Sequence, residues 1–265
     1  MVNVQSSIFL RLLSAQTFSR KTGGMSNRLV LLRLFKTACL VLTLGVSVSA
    51  SASVLGFGGD SWEEEVLLHD GSKIIVDRTV KRGGRHEVGQ KPPYKELSLS
   101  FTLSGTNQSI TWEDHYSQDL GQANFLPMAL DISEGTPYLV LYPMGCLSYN
   151  KWGRPNPPYV IFKFHNKEWK RIPLPELPAD IKSPNLIFSS PDIQVKKLGT
   201  RSVSAEKIKK LIDGYKQPEF KTIQREAVKP GSFGSTDCEE RVLYKGHWIL
   251  PNDSIAQKFI DKQRK

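Results

Sequence analysis

Apolar and polar residues alternate along much of the chain between residues 61 and 190. In the segment 96–103 (ELSLSFTL), leucine and phenylalanine fall on one side of an extended strand and polar residues fall on the other. This alternation predicts antiparallel strands with one face buried and the other in water. The pair Asp70-Gly71, between two such runs, is typical of a tight hairpin turn.

Four hairpins are predicted from this alternation and from the turn residues between the runs. They cover residues 66–81, 96–116, 125–142 and 159–174. Eight short strands predict a mainly β domain over residues 53–192, either an antiparallel β-sandwich or a curved β-meander. A propeller is excluded, because each blade needs about 40–45 residues and about four blades are the minimum.

A mixed α/β extension is predicted for residues 193–265. Ser204 is a suitable N-cap for a helix. A strand or hairpin is expected over 239–250, and Asp253 or Ser254 is expected to cap a short terminal helix. The apolar residues at helical spacing after Ser204 are Ile208, Leu211, Ile212 and Tyr215.

Residues 1–52 have the composition of an export signal. They contain no acidic residue, and basic residues precede an apolar run over 37–48 that leads into small residues with an A-x-A pattern. The run is shorter than the roughly 20 residues that a membrane-spanning helix needs. We therefore predict a signal peptide that starts at Met25 and is cleaved after Ala52, and a periplasmic or secreted protein. An uncleaved N-terminal anchor in the inner membrane is the alternative.

Export changes the interpretation of the cysteines. Cleavage would remove Cys39 and leave Cys146 and Cys238 in an oxidising compartment. An even pair in such a compartment predicts a disulfide, with two unpaired structural thiols as the alternative.

The net charge of +10 is unevenly distributed along the chain. Residues 1–52 hold six basic and no acidic side chains, and residues 53–192 hold 14 basic and 17 acidic ones. Residues 193–265 hold 16 basic and 9 acidic side chains. No nucleic-acid partner is predicted, because the charge excess belongs to a signal and a tail. Any contact with anionic membranes is expected through the C-terminal region and should weaken with salt.

Glu113, Asp114 and His115 are weak candidates for catalysis. In a strand, Glu113 and His115 share one face and Asp114 lies on the other. A carboxylate–histidine site is one interpretation, and a solvated strand face is the simpler one. His86-Glu87 lacks the second histidine of a zinc-protease motif. No catalytic residue, metal site or cofactor is predicted.

The segment 145–163 is rich in proline and aromatic residues. Its prolines restrict the chain, which lowers the entropy cost of holding one shape. Aromatic rings with polar tips beside an arginine are typical of recognition surfaces. An alternative is a crossover that covers the end of the sheet, with two of the aromatic residues closing the core. The predicted ligand- or partner-binding residues are Tyr149, Lys151, Trp152, Arg154 and Tyr159.

This segment resembles the core of a family of uncharacterised exported bacterial proteins. The resemblance covers about residues 56–190 and implies export, and it implies no activity. The matching residues are Gly145-Cys146, the run 149–159 (YNKWGRPNPPY), Phe162-Lys163, Trp169 and Arg171-Ile172-Pro173-Leu174.

The sequence therefore predicts a non-catalytic exported protein that binds an envelope component or another protein. The binding site is expected in the loop from Lys151 to Tyr159. The alternative is a cell-envelope hydrolase that uses carboxylates near Glu113 and Asp114.

Overall fold

A computed structural model of the chain describes residues 59–106, 108–229 and 237–263. The export signal predicted for residues 1–52 lies outside these residues. The described residues belong to one compact unit. Within the described ranges, none of the helices has the length and apolar character needed to cross a bilayer.

The first four strands form an antiparallel meander with one buried face. Trp62, Glu64 and Val66 of the first strand point inward, and the residues between them are more exposed. In the first turn, Asp70 Oδ1 accepts hydrogen bonds from the backbone N–H and the hydroxyl of Ser72. The strands are β1 (Asp60–Leu67), β2 (Lys73–Arg82), β3 (Tyr94–Thr102) and β4 (Ser109–His115).

The next four strands form a second meander, whose first two strands are covered on both faces. Leu139 and Leu141 pack into the core shared with the first meander. Tyr138 and Val140, which alternate with them, pack into a second cluster on the opposite face. Burial is therefore almost continuous along the first two strands of this meander. The strands are β5 (Phe125–Ser133), β6 (Thr136–Pro143), β7 (Val160–His165) and β8 (Glu168–Ile172).

Four helices and three short strands complete the described structure. The helix after Ser204 and the terminal helix are both confirmed, and Asp253 Oδ1 accepts the backbone N–H of Ala256 at 2.9 Å. The structure also contains a helix that the sequence pattern did not predict. It lies in the proline-rich crossover before the prolines at 155–158, so no proline interrupts it. The elements are α1 (Gly145–Lys151), α2 (Pro191–Leu198), β9 (Ser202–Val203), α3 (Ala205–Asp213), β10 (Val242–Tyr244), β11 (His247–Ile249) and α4 (Ser254–Gln263).

The fold is mainly β, as predicted, with eleven strands in three sheets against four helices in the described residues. The sheet orders are β4-β3-β2-β1-β9, β5-β6-β7-β8 and β10-β11. The two larger sheets share one core and are not closed. Trp169 Nε1 donates to the Thr111 carbonyl between β8 and β4. Asn185 Nδ2 donates to the carbonyls of Leu67 and Leu130, between β1 and β5.

The region after residue 192 contributes to this core. Strand β9 pairs with β1 in parallel. Val203, Ile208 and Ile212 belong to the same apolar cluster as the sheets. The boundary placed at residue 192 from composition falls inside helix α2.

A buried ion pair lies at the centre of the first sheet. Glu64 and Arg78 are almost completely inaccessible, and Arg78 Nη1 donates to the two carboxylate oxygens at 3.1 and 3.2 Å. Trp62 Nε1 and the backbone N–H of Ile187 also donate to this carboxylate. Burial raises the pKa of Glu64, while Arg78 and the other donors oppose this effect.

Replacing one partner of this pair should destabilise the fold strongly. Glu64→Ala leaves Arg78 buried without its counter-charge, and we expect a loss of about 3–5 kcal/mol in the free energy of unfolding. Urea denaturation measures this change. The double variant Glu64→Leu/Arg78→Met should lie closer to the wild type, because it leaves no unpaired charge. If the double variant loses as much stability as Glu64→Ala, the unpaired charge is not the cause of the loss.

A second polar link joins the first hairpin to the second sheet. His69 Nδ1 lies 2.6 Å from Asp131 Oδ1, and the backbone N–H of His69 donates to the other carboxylate oxygen at 3.1 Å. Asp131 is buried, whereas His69 is partly open to solvent. The hydrogen bond with Asp131 raises the pKa of His69 above its usual range.

This link predicts a pH-dependent stability. The folded state holds the imidazole proton more tightly than the unfolded chain does. The resulting stabilisation is complete below about pH 6.5 and disappears as the pH rises through the folded-state pKa. The midpoint of urea unfolding should therefore fall from slightly acid to slightly alkaline pH. In His69→Gln, which cannot be protonated, this part of the fall should be absent. An unchanged pH profile in the variant would contradict the assignment.

Candidate binding site

Helix α1 and the residues after it hold the C-terminal segment against the β-sheets. Cys146 forms a disulfide with Cys238, as predicted, with the Cα atoms 5.3 Å apart. Asn150 donates from Nδ2 to the Glu239 carbonyl and accepts the backbone N–H of Arg241 at Oδ1, both at 2.9 Å.

Arg154 extends this attachment beyond the end of the helix. Arg154 Nη2 donates to the carbonyl of Cys238 at 2.7 Å. Nη1 of the same side chain donates to Asn150 Oδ1 at 2.9 Å. The guanidinium lies 5.2 Å from the ring of Tyr149, which is buried. Arg154 therefore fixes the backbone at Cys238, and the buried ring of Tyr149 packs against the guanidinium of Arg154.

Lys151 and Trp152 attach the end of α1 to the loop between β4 and β5. Lys151 Nζ donates to Ser117 Oγ at 2.6 Å and to Asp119 Oδ1 at 2.9 Å. Trp152 is half-buried, and its ring centroid lies 4.6 Å from that of Phe125. The serine, lysine and aspartate form a compact polar cluster in which the lysine acts as a donor to both neighbours.

Tyr159 lies in the core of the second sheet. It is 5% exposed, and its hydroxyl donates to the Glu219 carbonyl at 2.8 Å. The backbone N–H of Gln224 donates to the same hydroxyl at 3.3 Å. Burial raises the pKa of Tyr159 above its usual range. Tyr159 thus anchors the segment around residues 219–224 to strand β7.

The structure therefore brings the five predicted binding residues into one region but directs most of their polar groups inward. Tyr149 and Tyr159 face the interior. Trp152 Nε1 donates to Asn124 Oδ1 at 3.2 Å, and the polar groups of Lys151 and Arg154 described above also bond to other parts of the chain. In the chain that follows, Asn156 is exposed and Pro155 is half-buried, whereas Pro157 and Pro158 are buried. We call the groove at this segment the proline groove; residues 155–157, 159–161 and 171–174 line it.

The proline groove has a volume of about 400 Å³, within the range of about 300–1,000 Å³ that ligand sites occupy. Pro155, Pro157, Ile172 and Leu174 give it a largely apolar lining. Arg171 is the one charged residue among the described residues that line it. It donates from Nη2 to the Trp152 carbonyl at 3.0 Å, which leaves other guanidinium N–H groups for a ligand.

Strand β8, at one side of the groove, is the last strand of its sheet. The two-residue turn Asn166-Lys167 has positive φ at both positions, so His165 and Glu168 form the hydrogen-bonded closing pair. The alternate residues Trp169 and Arg171 then direct their backbone N–H and C=O groups away from β7. Among the described residues, no strand pairs with these backbone groups at the edge next to the groove.

The weak catalytic candidates lie on strand β4 and do not line this groove. Glu113 and His115 are exposed, with His115 Nε2 3.4 Å from Glu113 Oε2. Asp114 is buried and accepts hydrogen bonds from the backbone N–H groups of Asn124 and Phe125 at 2.6 and 2.7 Å. Burial raises the pKa of Asp114. The two carboxylates thus point to opposite faces of the strand, and Asp114 fixes the start of β5.

Two groups of residues were missed as site residues from the sequence. The first is Asn150, which holds the C-terminal segment. Cys146, Asn150 and Arg154 are spaced four residues apart, and this spacing was the sequence feature that could have placed them on one side of a helix. The segment 171–174 forms one wall of the groove. Its Ile-Pro-Leu run belongs to the same motif as residues 149–159, which was the signal for that wall.

Removing the disulfide should destabilise the protein as a whole. The loop between Cys146 and Cys238 spans 92 residues, so the chain-entropy model gives a loss of about 4–5 kcal/mol at most for Cys146→Ser/Cys238→Ser. Urea denaturation with and without a reducing agent measures the loss. The double variant should be insensitive to the reducing agent. Equal stability of oxidised and reduced wild type would contradict this prediction.

A scan against protein-family models found no match, and neither a search of the curated proteins nor one of the solved structures found a similar protein.

Proposed function

We propose that this protein is a non-catalytic exported binding protein, and that its ligand is an extended polypeptide segment held in the proline groove. One observation carries the proposal: an apolar groove lies beside an open sheet edge, and both are built from the proline-rich motif and the segment 171–174. An extended chain can use such an edge by adding a strand, with its side chains entering the adjacent groove.

The groove is suited to binding because it is formed before a ligand arrives. Pro155, Pro157 and Pro173 restrict the backbone of its walls. Tyr159 and Trp152 hold these walls from the inside through the contacts described above. A preformed wall lowers the entropy cost of binding. In this proposal the aromatic residues act as supports, and the accessible Pro155, Pro173 and Arg171 make the contact.

The chemistry of the edge specifies the ligand further. The backbone groups of Trp169 and Arg171 favour an extended chain over a compact small molecule. The guanidinium of Arg171 favours a carboxylate on that chain. The apolar lining favours aliphatic or aromatic side chains at alternate positions. The proposed ligand is therefore an extended segment with alternating apolar residues and an acidic residue.

An extracellular or periplasmic location is part of this proposal. The disulfide between Cys146 and Cys238 supports it, because disulfides persist in oxidising compartments. The hydrolase alternative has less support, since Glu113 lies on the solvent face of β4 and Asp114 is occupied by its own backbone donors.

Selection of short displayed peptides against the purified protein tests the proposal. We expect selected peptides to alternate apolar residues with at least one acidic residue. Arg171→Glu should weaken their binding about tenfold or more, because a charge-assisted hydrogen bond is replaced by repulsion. Lys91→Glu makes the same charge change in the exposed loop after β2 and serves as the control. Isothermal titration calorimetry provides the affinities.

Two results would contradict the proposal. One is a set of peptides that bind Arg171→Glu as tightly as the wild type. The other is chemical cross-linking of the bound peptide only to residues outside the proline groove. A Leu174→Ala variant, which removes apolar lining without changing charge, separates the contribution of the groove from that of the arginine.

A further inference from the structure

The C-terminal module, defined as residues 237–263, exposes apolar side chains to an unusual degree. Nine large apolar side chains are exposed in the described chain, and five of them belong to this module. Ile255 is 81% exposed and Phe259 is 62% exposed. They stand four residues apart in α4, so they form one continuous apolar strip on the helix. The others in the module are Val242, Leu243 and Leu250.

The orientation of α4 is fixed by contacts on its opposite side. Ile260 is buried, and Asp261 accepts a hydrogen bond from the Tyr244 hydroxyl at 3.1 Å. Lys245 Nζ donates to the same carboxylate. A helix normally turns its apolar side chains toward the core. Here Ile260 faces inward, while Ile255 and Phe259 face outward.

The charges on the outward face of α4 are all positive. Lys258 and Lys262 alternate with the two apolar residues along the helix, and both are exposed. Within the described residues, neither lysine forms an ion pair. Asp261, the acidic residue of this helix, belongs to the inward side. The outward face therefore combines an apolar strip with two cations.

We propose that this face of α4 lies in the interface of an anionic lipid membrane. Interfacial helices carry aromatic and aliphatic residues in the acyl boundary and lysines among the headgroups, which is the pattern of Ile255, Phe259, Lys258 and Lys262. The lysines are attracted by the negative surface potential of anionic lipids. A second copy of this chain is a poorer occupant, because two such faces would bring four lysines together, and like charges across an interface repel.

The bulk charge of the C-terminal region is not the basis of this proposal. Residues 193–229 hold 10 basic and 4 acidic side chains, whereas residues 237–263 hold 4 basic and 5 acidic ones. A purely electrostatic contact would therefore use the region around α2 and α3. The α4 contact instead needs the two apolar side chains as well as the two lysines. The two mechanisms predict different effects of substitution.

Sedimentation with lipid vesicles tests the proposal. The chain from Ser53, which contains the whole compact unit, is mixed with vesicles of phosphatidylglycerol and phosphatidylcholine or of phosphatidylcholine alone. We expect binding to the anionic vesicles that weakens as salt is added. Ile255→Ser/Phe259→Ser should lower the partition coefficient about tenfold or more, because burial of each apolar side chain is lost. Ile75→Ser, another exposed apolar residue, is the matched control.

A second pair of variants isolates the charges. Lys258→Gln/Lys262→Gln should reduce binding about tenfold at low salt, since each lysine near an anionic surface contributes. Lys207→Gln/Lys210→Gln removes the same charge from exposed positions of α3 and should have a much smaller effect. Circular dichroism establishes that every variant is folded. The result is independent of peptide binding at the proline groove.

Three outcomes would overturn the proposal. The first is absence of binding to anionic vesicles at low salt. The second is equal loss from the α3 and α4 lysine variants, which would assign binding to bulk charge. The third is a dimer in light scattering that Ile255→Ser/Phe259→Ser converts to a monomer, which would make this face an interface between two copies.

Discussion

The arrangement of the two sheets depends on the hydrogen bonds that the buried carboxylate of Glu64 accepts. It lies on β1 and is bonded to Arg78 on β2 and to the backbone N–H of Ile187. The adjacent Asn185 and Leu186 donate their backbone N–H groups to the Met128 carbonyl on β5. An ionised group this deep in the core is tolerated only if its donors are all in place. One carboxylate thereby fixes the segment that joins the first sheet to the second.

The strands and hairpins of this fold could be predicted because they depend on residues that are close together in the sequence. The alternation over 96–103 and the Asp70-Gly71 turn specify strand and hairpin, and eight strands joined mainly by hairpins give the two meanders. The parallel pairing of β9 with β1 depends on contacts between residues about 140 positions apart, and no local pattern encodes it. The continuous burial along β6 likewise reflects a second apolar cluster that only the tertiary structure provides.

The segment 145–163 stands out in the sequence, but the roles of its residues could not be assigned from composition. Tyr149, Trp152 and Arg154 have side chains that suit a recognition surface and an internal support equally well. Which role each takes depends on the direction in which α1 points it, and that helix was not predicted. The groove wall at residues 171–174 needs the register of β7 with β8, which places Ile172 opposite Ile161. The sequence says more about the catalytic candidates. Because side chains alternate along a strand, it already places Glu113 and Asp114 on opposite faces of β4.

The position of the disulfide along the chain has a consequence for biosynthesis. Cys146 leaves the ribosome 92 residues before its partner, and the intervening chain includes β7, β8, α2, β9 and α3. The native bond can therefore form only after most of the polypeptide exists. A product that terminates before residue 238 lacks the partner of Cys146, and a free thiolate can attack a disulfide of another molecule. A disulfide between these two cysteines therefore shows that synthesis has reached the C-terminal module, and an unpaired Cys146 thiol indicates an incomplete chain.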